Sequence, residues 1–381
     1  MREEDICTIT VIGAGTMGHG IAELAALAGY QVRLYDVSDE LAQQGYQQIA
    51  WSLEKLSQKG LITHEQIQPA LQKIAPLADL KAAVKNVDFV IEAAPENLQL
   101  KRDLFQKLEE LSLAHTVLAT NTSSLPISEI ASVTRRPEKV VGMHFFNPAI
   151  LMPLVEVIQG VKTSAETVQL AVELARKLNK TPVVCRKDVR GFITSSIFEG
   201  FIGEAMWQAS RERISIQAID ARMKFTEKFP MGPFELADLT GLDIGYNIHR
   251  EAGLPSPPIL EEKVKAGQLG RKTGKGFYDY TSGPDYKPED ANNFDPLPLY
   301  AMMTAIASRH VQDDVADPPE IDLAMQLGGG FPKGPLAKAD EIGLAVLVKK
   351  LDEMREKYHD PRYEAPPLLR KLAQENKGFY C

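Results

Sequence analysis

Hydrophobic residues in the first half of the chain follow two alternating spacings. Short apolar runs predict buried strands, and longer stretches with apolar residues three and four positions apart predict helices. The predicted strands are 9–12, 31–35, 88–92, 116–120, 140–143, 154–158 and 181–184. The predicted helices are 16–28, 40–59, 64–73, 98–113 and 165–178. Strands that alternate with helices in this way are typical of an open α/β sheet.

The first predicted strand leads directly into a glycine-rich loop, Gly13-Ala14-Gly15-Thr16-Met17-Gly18. In a G-x-G-x-x-G segment between strand and helix, the first glycine permits a tight turn and the second lets the backbone approach a pyrophosphate. The third lets the helix pack closely on the strand. The pyrophosphate would lie at the N-terminus of the helix that begins at Thr16. The six residues alone also fit an ordinary glycine-rich turn, so the neighbouring residues must show whether the loop binds a dinucleotide.

That context is Asp36, which closes the next apolar run. A carboxylate there can accept hydrogen bonds from the adenosine ribose hydroxyls and would repel a 2′-phosphate, which favours NAD over NADP. The alternative for Asp36 is an N-cap for the following helix, although Ser38 and Asp39 can also serve. The loop, the carboxylate and the alternating elements together predict a Rossmann-like doubly wound sheet that binds NAD.

After Gly191 the pattern changes to helices separated by Gly-Pro turns, which predicts an all-α region. This region contains an internal repeat with a shift of 102 residues. The shift aligns Asp220 with Asp322, Met223 with Met325, Phe229-Pro230 with Phe331-Pro332, Gly232-Pro233 with Gly334-Pro335, Asp238 with Asp340, Gly241-Leu242 with Gly343-Leu344, and 275–278 with 377–380.

The repeat sets the expected domain organisation. We expect an NAD-binding domain at 1–187, a helical domain at 188–281 and a second copy of that domain at 292–381. The segment 282–298 is rich in Pro, Asp and Asn and is predicted to be a linker between the two copies. The fold class is therefore α/β, followed by an all-α region of two repeated helical units.

Composition is that of a globular protein, because 44% of the 381 residues are hydrophobic and 25% are charged. A net charge of −8 without a long basic run argues against nucleic acid as the main partner. The three cysteines, Cys7, Cys185 and Cys381, are far apart and odd in number, which suggests neither disulfides nor a metal site. We expect no membrane span, no targeting peptide and a cytoplasmic location.

The strongest catalytic candidate is His144, which directly follows the predicted strand 140–143. Ligands bind at the carboxyl edge of open α/β sheets, and an imidazole can accept a proton from an alcohol while hydride leaves the same carbon. Glu156 lies on the next predicted strand. If the two strands are neighbours, its carboxylate can fix the imidazole tautomer and stabilise the protonated form. The alternatives are a packed structural histidine and a solvent-facing glutamate.

Two further polar groups lie near the same predicted edge. Asn121-Thr122-Ser123-Ser124 follows the strand 116–120 and could bind substrate or nicotinamide, or could cap a short helix at 126–131 through Ser124. Glu96 and Lys101 follow the strand 88–92, and their spacing alone indicates a surface ion pair.

Together these residues resemble the L-3-hydroxyacyl-CoA dehydrogenase family, and the resemblance covers essentially the whole chain. The glycine loop is the least specific shared motif. More specific are the combination of 121–125 with His144-Phe145-Phe146-Asn147-Pro148 and Glu156, and two signatures of the helical region, at 231–238 and 269–278.

The resemblance implies NAD-dependent oxidation of an (S)-3-hydroxyacyl-CoA to a 3-ketoacyl-CoA, with His144 as general base and Glu156 as its partner. It also implies that Ser123 contacts the substrate hydroxyl and the cofactor. The further NAD contacts that it implies are Glu96, Lys101 and Asn147, and the coenzyme A contacts are Ser52 and Lys59. A lysine suits the phosphates of CoA, and the alternative is a solvated helix face.

One segment departs from the family pattern. Family members usually have Gly-Phe-Ile-x-Asn-Arg at the start of the helical domain, whereas this chain has Gly191-Phe192-Ile193-Thr194-Ser195-Ser196. The family's asparagine helps to position the acyl substrate, so Ser195 is the candidate catalytic residue at that position. We predict that dehydrogenation survives and that turnover or acyl specificity changes.

The resemblance leaves alternatives open. A related branch oxidises sugar acids such as gulonate and would not need Lys59, and the same scaffold occurs as a lens crystallin that binds cofactor with little activity. Relatives with one helical domain dimerise through it. We therefore expect the fused second copy to occupy the partner's place and to give a monomer or a weak homodimer. Some related chains are joined to an enoyl-CoA hydratase, and this sequence could be a piece of such a fusion.

Overall fold

The computed structural model of the chain describes residues 3–251 and 253–380. The chain divides into two compact units, 1–192 and 193–381, shortly after the predicted boundary at 187. Cys7 is exposed and Cys185 is buried, whereas Cys381 lies outside the described residues. Among the helices in the described part of the chain, none has the length and apolar character that a membrane crossing requires.

The first unit is built on one eight-stranded sheet. Its strands are β1 Thr8–Ile12, β2 Gln31–Tyr35, β3 Ile74–Leu77, β4 Phe89–Glu92, β5 Val117–Thr120, β6 Val140–Phe145, β7 Leu154–Ile158 and β8 Thr181–Cys185. They are ordered β3-β2-β1-β4-β5-β6-β7-β8, and all neighbours are parallel except β6 and β7. The order reverses between β1 and β4, and ligands bind at the carboxyl end of such a switch point.

Helices connect these strands. They are α1 Thr16–Leu27, α2 Asp39–Gln58, α3 Ile67–Gln72, α4 Leu80–Val84, α5 Leu98–Leu111, α6 Ile127–Ala131 and α7 Ala165–Lys177. Every residue of β4, β5, β6 and β7 is buried, because helices cover both faces of a doubly wound sheet. This burial is why the strands read as continuous apolar runs, and the predicted doubly wound α/β sheet is confirmed.

The apolar pattern does not predict two of these elements, β3 and α4. β3 is an edge strand that contains Pro76, and a proline is tolerated in a sheet mainly at its edge. α4 has five residues and depends on a cap, since the Asp79 carboxylate accepts a hydrogen bond from the Lys81 amide at 3.0 Å. Neither feature gives the periodicity that identifies longer elements.

The second unit is helical. Its helices are α8 Thr194–Glu212, α9 Ile216–Ala221, α10 Pro233–Thr240, α11 Leu242–Glu251, α12 Pro258–Lys265, α13 Leu297–Gln312, α14 Pro318–Gly329, α15 Pro335–Ile342, α16 Leu344–Tyr358 and α17 Pro367–Gln374. The segment predicted as a linker is not a loose connection. Its Tyr286 is buried, and the hydroxyl donates a 2.5 Å hydrogen bond to Glu235.

The aspartates that the repeat aligns accept equivalent hydrogen bonds in both copies. Asp220 accepts hydrogen bonds from two backbone amides in the first turn of α10 at 2.9 Å, and Asp322 does so in α15 at 2.8 Å. Asp238 and Asp340 each accept hydrogen bonds from the amides of the Phe-Tyr pair in their own copy, at 2.9–3.1 Å. Because a carboxylate needs donors when water is removed, these four side chains fix the same backbone turns twice.

Equivalent residues of the two copies also meet each other. The aligned rings of Phe229 and Phe331 have centroids 4.6 Å apart, and α8 packs along its equivalent, α13. A residue that contacts its own equivalent lies near a two-fold axis. The two helical copies therefore pack about an internal pseudo-two-fold axis, as two protomers do in a symmetric dimer.

Candidate active site

The glycine loop joins β1 to α1 where the strand order reverses. Gly13 has a φ of +95°, and a Cβ atom there would lie 2.7 Å from the Ala93 carbonyl oxygen. A Cβ atom at Gly18 would lie 1.7 Å from the Gly13 carbonyl oxygen, whereas one at Gly15 would meet no atom of the described residues within 4 Å. The fold thus requires the outer glycines. The middle one, with the exposed Thr16 beside it, leaves space for a pyrophosphate at the helix N-terminus.

Alanine substitutions should separate these two kinds of glycine. We expect Gly15→Ala to keep the wild-type melting temperature and to weaken NADH binding at least about tenfold, because the methyl group occupies the pyrophosphate's space. We expect Gly18→Ala to lower the melting temperature strongly, because its methyl group meets backbone. Thermal melts and NADH fluorescence titrations measure both effects. Equal NADH affinity in Gly15→Ala and wild type would contradict the assignment of this loop.

Asp36 follows β2 and faces the same loop. Its Oδ2 accepts a hydrogen bond from the Ala14 amide at 2.8 Å, and its Oδ1 accepts one from the Val37 amide at 2.7 Å. The helix cap is Ser38, whose hydroxyl accepts a hydrogen bond from Leu41 at 3.3 Å, so the N-cap alternative for Asp36 is wrong. Each carboxylate oxygen can accept a further hydrogen bond, which is what a ribose diol would require.

His144 and Glu156 face each other across the antiparallel pair of β6 and β7. The His144 Nδ1 lies 2.7 Å from Glu156 Oε2, and Glu156 is fully buried while 8% of His144 is exposed. β6 extends to Phe145 because its pairing with β7 continues there, so His144 lies within the strand and not after it as predicted. An ionised Glu156 requires Nδ1 to be the donor, which leaves Nε2 as the basic nitrogen.

The segment after β5 and the short helix α6 that follows it are held by groups from β6 and from two loops. Asn121 Oδ1 accepts a hydrogen bond from the Phe145 amide at 2.8 Å, which ties the end of β5 to β6. The Ser123 amide donates to Glu96 Oε1 at 3.1 Å. The amides at the start of α6 donate to Asp188 at 3.1 and 2.6 Å, so Ser124 is not the cap that the alternative requires.

The ion pair between Glu96 and Lys101 is present, but Lys101 is buried and not at the surface as its spacing indicates. Its Nζ lies 2.5 Å from Glu92 and 3.5 Å from Glu96, and only 1% of the side chain is exposed. Glu92 closes β4, is fully buried and also accepts a 2.6 Å hydrogen bond from the Thr120 hydroxyl. Sequence reasoning missed Glu92, although a carboxylate that ends an apolar run of three residues is a signal for a buried partner.

Comparison with known proteins decides the family. The NAD binding domain of 3-hydroxyacyl-CoA dehydrogenases matches residues 8–189, and their C-terminal domain matches 191–280 and again 299–378. The chain belongs to the 3-hydroxyacyl-CoA dehydrogenase family. NAD is therefore the cofactor of this dehydrogenase, and acyl-CoA is its class of substrate.

Relatives of known name support this family at the level of whole chains. The dehydrogenase is 43% identical over 283 residues to a probable 3-hydroxybutyryl-CoA dehydrogenase of Bacillus subtilis, which covers 72% of this chain and 98% of that protein. It is 31% identical over 474 aligned positions to the 3-hydroxyadipyl-CoA dehydrogenase of Escherichia coli, covering 98% and 99%. The crystal structure of 3-hydroxybutyryl-CoA dehydrogenase from E. coli K12 matches with a TM-score of 0.89 at 30% identity, covering 97% and 98%.

The other residues implied by the 3-hydroxyacyl-CoA dehydrogenase resemblance lie in different places. Asn147 is exposed two residues after the end of β6, Ser52 is half-buried in α2, and Lys59 is exposed at the end of that helix. Ser195 is half-buried in the first turn of α8, in the second unit. Within the described ranges, no group of three or more His, Cys, Asp or Glu side chains could hold a metal ion.

Ser196, which stands where this dehydrogenase family has arginine, is bound to the second helical copy. Its hydroxyl lies 2.7 Å from Nε2 of His310 on α13 and also donates to the Ile193 carbonyl at 2.9 Å. The departure from the family pattern therefore coincides with a hydrogen bond between the two helical copies.

A buried carboxyl group adjoins Ser52. Glu23, on α1, is 1% exposed, and its Oε1 has no hydrogen-bond partner in the part of the chain that the structure describes. Burial raises the pKa of Glu23 to about 7, against the opposite effect of a hydrogen bond with Ser52. Since an unpaired charge is costly in such a place, Glu23 holds a proton over most of the acidic range.

This raised pKa makes the stability of the dehydrogenase depend on pH. Between about pH 4.5 and 7 the folded protein holds a proton that the unfolded chain releases, so the free energy of unfolding falls as pH rises through this window. We expect Glu23→Gln to be as stable as wild type at pH 4.5 and more stable by about 3 kcal/mol at pH 8. Urea unfolding at both pH values measures this, and a variant less stable than wild type at pH 8 would contradict it.

Proposed function

We propose that His144 is the general base with which this dehydrogenase oxidises (S)-3-hydroxyacyl-CoA to 3-ketoacyl-CoA. The observation that carries the proposal is the 2.7 Å contact between His144 Nδ1 and the buried Glu156. Because Nδ1 donates to the carboxylate, Nε2 is free to accept the proton of the substrate hydroxyl. Glu156 then stabilises the imidazolium, and its burial strengthens that attraction. Bound NAD supplies the acceptor for the hydride.

The remaining residues of the first unit orient the reactants in this proposal. Ser123 contacts the substrate hydroxyl, at a position fixed by the bond from its amide to Glu96. In this proposal two groups of residues bind NAD. The pyrophosphate and adenosine are held by Gly13, Gly15, Thr16, Met17, Gly18 and Asp36, and the NAD site is also lined by Glu96, Lys101 and Asn147. Ser52 and Lys59 contact coenzyme A.

Substrate class is tested by following NADH loss with acetoacetyl-CoA and, separately, in the reverse of gulonate oxidation. We expect rapid reduction of acetoacetyl-CoA, and no comparable rate in the reverse of gulonate oxidation. Rapid turnover only in the sugar-acid reaction would contradict an acyl-CoA substrate. NADH binding without turnover of any substrate would instead favour a cofactor-binding protein with little activity.

Ser195 is proposed to act on the acyl substrate in place of the family's asparagine. An amide offers a donor and an acceptor at the end of a longer side chain, whereas serine offers one shorter hydroxyl. We expect Ser195→Asn to raise kcat/KM for acetoacetyl-CoA about fivefold, the size of one neutral hydrogen bond. Steady-state kinetics of Ser195→Asn and Ser195→Ala measure this. Equal kcat/KM values for wild type and both variants would show that the position has no role.

We propose that the second helical copy takes the place of a partner subunit. The support is the pseudo-two-fold packing, in which Phe229 meets its equivalent Phe331. The proposed domains are then 1–187, 188–281 and 292–381, and the protein is a monomer or a weak dimer. Light scattering that gave a stable dimer at micromolar concentration would contradict this. The cytoplasmic location and the fusion to an enoyl-CoA hydratase stay predictions.

A further inference from the structure

One exposed aromatic side chain lies beside the proposed coenzyme A contacts. Trp51 precedes Ser52 on α2, and 61% of its surface is exposed. The second tryptophan of the chain, Trp207, is covered by the guanidinium groups of Arg211 and Arg362, at 4.2 and 4.8 Å from its ring. Single exposed apolar residues are common on protein surfaces, so the surroundings of Trp51 decide what it does.

Those surroundings are cationic. Trp51, Lys55 and Lys59 recur every four residues, so they lie along one ridge of α2. Lys55 Nζ lies 5.9 Å from the centroid of the Trp51 ring, and both lysines are exposed. Glu54 lies on the flank of this ridge and is the nearest acidic residue in sequence. An indole face with one ammonium group beside it, and a second lysine two turns further toward the C-terminus of the helix, matches a planar base that carries phosphates.

We propose that Trp51 stacks on the adenine of coenzyme A while Lys55 and Lys59 hold its phosphates. This inference rests on the proposed function, because it takes acyl-CoA as the substrate. Any nucleobase can stack on an aromatic side chain, because stacking does not depend on the hydrogen-bond donors and acceptors of the base. A neighbouring cation adds to the attraction. Adenine and phosphates belong to the nucleotide half of CoA, which a pantetheine thioester lacks. The ridge therefore selects thioesters of CoA over thioesters without the nucleotide.

The other adenine in the reaction belongs to NAD. Its ribose position is marked by Asp36 at the end of β2, next to the glycine loop that Asp36 contacts through the Ala14 amide. Trp51 lies in the fourth turn of α2, away from that end. A substitution at Trp51 should therefore change the KM for acyl-CoA and not the KM for NADH.

Kinetics with two thioesters test the proposal. We expect Trp51→Ala to raise the KM for acetoacetyl-CoA about tenfold relative to the KM for acetoacetyl-pantetheine, and Trp51→Phe, which keeps an aromatic face, to stay near the wild-type ratio. Lys55→Ala should raise the same ratio about threefold at low salt and less at high salt. The matched control is Gln43→Ala, exposed on the same helix about 12 Å toward its N-terminus. An unchanged ratio in Trp51→Ala would overturn the proposal while the dehydrogenase reaction stands.

Tryptophan fluorescence gives a test that needs no turnover. Titration with CoA should quench wild type, and the quenching should be largely lost in Trp51→Phe, whose remaining tryptophan is the covered Trp207. Pantetheine should quench neither protein. If wild type reduced neither thioester, the proposed function would fail, and this titration would still decide the inference. Equal quenching of wild type and Trp51→Phe by CoA would overturn it.

Discussion

Replacing His144 by glutamine should lower kcat for acetoacetyl-CoA reduction about a thousandfold, the range of a lost general acid–base group. Glutamine keeps a polar side chain near Glu156 but cannot carry the proton that the reaction moves. The substituted side chain lies within β6, where ladder pairing with β7 holds the backbone. We therefore expect the fold to survive and NADH to bind with wild-type affinity.

A second substitution shows whether the pair acts as a unit. Glu156→Gln should lower kcat less than His144→Gln, because the imidazole remains but loses its fixed tautomer and its compensating charge. The double variant should be no slower than His144→Gln alone, since residues that act together are not additive. A His144→Gln variant with more than a tenth of the wild-type kcat and a normal melting temperature would exclude His144 as the base.

Replacing Lys101 by methionine should destabilise the first unit by about 3 kcal/mol, because it leaves the Glu92 carboxylate buried without its cation. The two side chains are 1% and 0% exposed, and their atoms lie 2.5 Å apart. Hydrogen bonds from Thr120 and the Ala94 amide, both at 2.6 Å, remain and limit the loss. Urea unfolding measures the change.

The double variant Lys101→Met with Glu92→Gln should recover more than half of this loss, because the unpaired charge is then gone. Lys107→Met is the matched control, since Lys107 is exposed on the same helix, and its effect should stay within about 0.5 kcal/mol. If Lys101→Met were as stable as Lys107→Met, the buried ion pair would not support this part of the site.

The sequence predicts those parts of the site that depend on residues close together in the chain. The glycine loop and Asp36 lie at the ends of consecutive strands, so their meeting follows from the β1-α1-β2 connection alone. His144 and Glu156 are also close in sequence, with Asn147-Pro148 and Pro153 between them, and a hairpin connection brings them opposite each other. In both cases the contact depends on neighbouring strands, which the apolar runs identify.

The contacts that sequence reasoning missed join elements far apart in the chain. Asp188 caps α6 across sixty residues, and Thr120 reaches Glu92 from an adjacent parallel strand. Spacing cannot reveal such pairs, because only the order of strands in the sheet brings them together. The surface position predicted for Lys101 is wrong for the same reason. A lysine on an amphipathic helix is usually exposed, and Lys101 is buried because it pairs with the buried Glu92.

In the helical copies, too, the sequence predicts the local features and does not predict the contacts between distant elements. Identities at one fixed offset predict that the repeat exists, and the paired tasks of Asp220 and Asp322 agree with it. The offset does not predict the contact between Phe229 and Phe331. A sequence repeat indicates that the two copies have the same fold, but it does not determine how they pack against each other.

The central claim is that hydride passes between the nicotinamide and C3 of an acyl-CoA while His144 carries the hydroxyl proton. Reduction of acetoacetyl-CoA with NADH deuterated at the transferred position tests this most directly, with the product analysed by mass spectrometry and chiral chromatography. We expect one deuterium at C3 of (S)-3-hydroxybutyryl-CoA from wild type and about a thousandfold slower labelling by His144→Gln. Product without deuterium at C3, product of the R configuration, or equal labelling by the two proteins would contradict the claim.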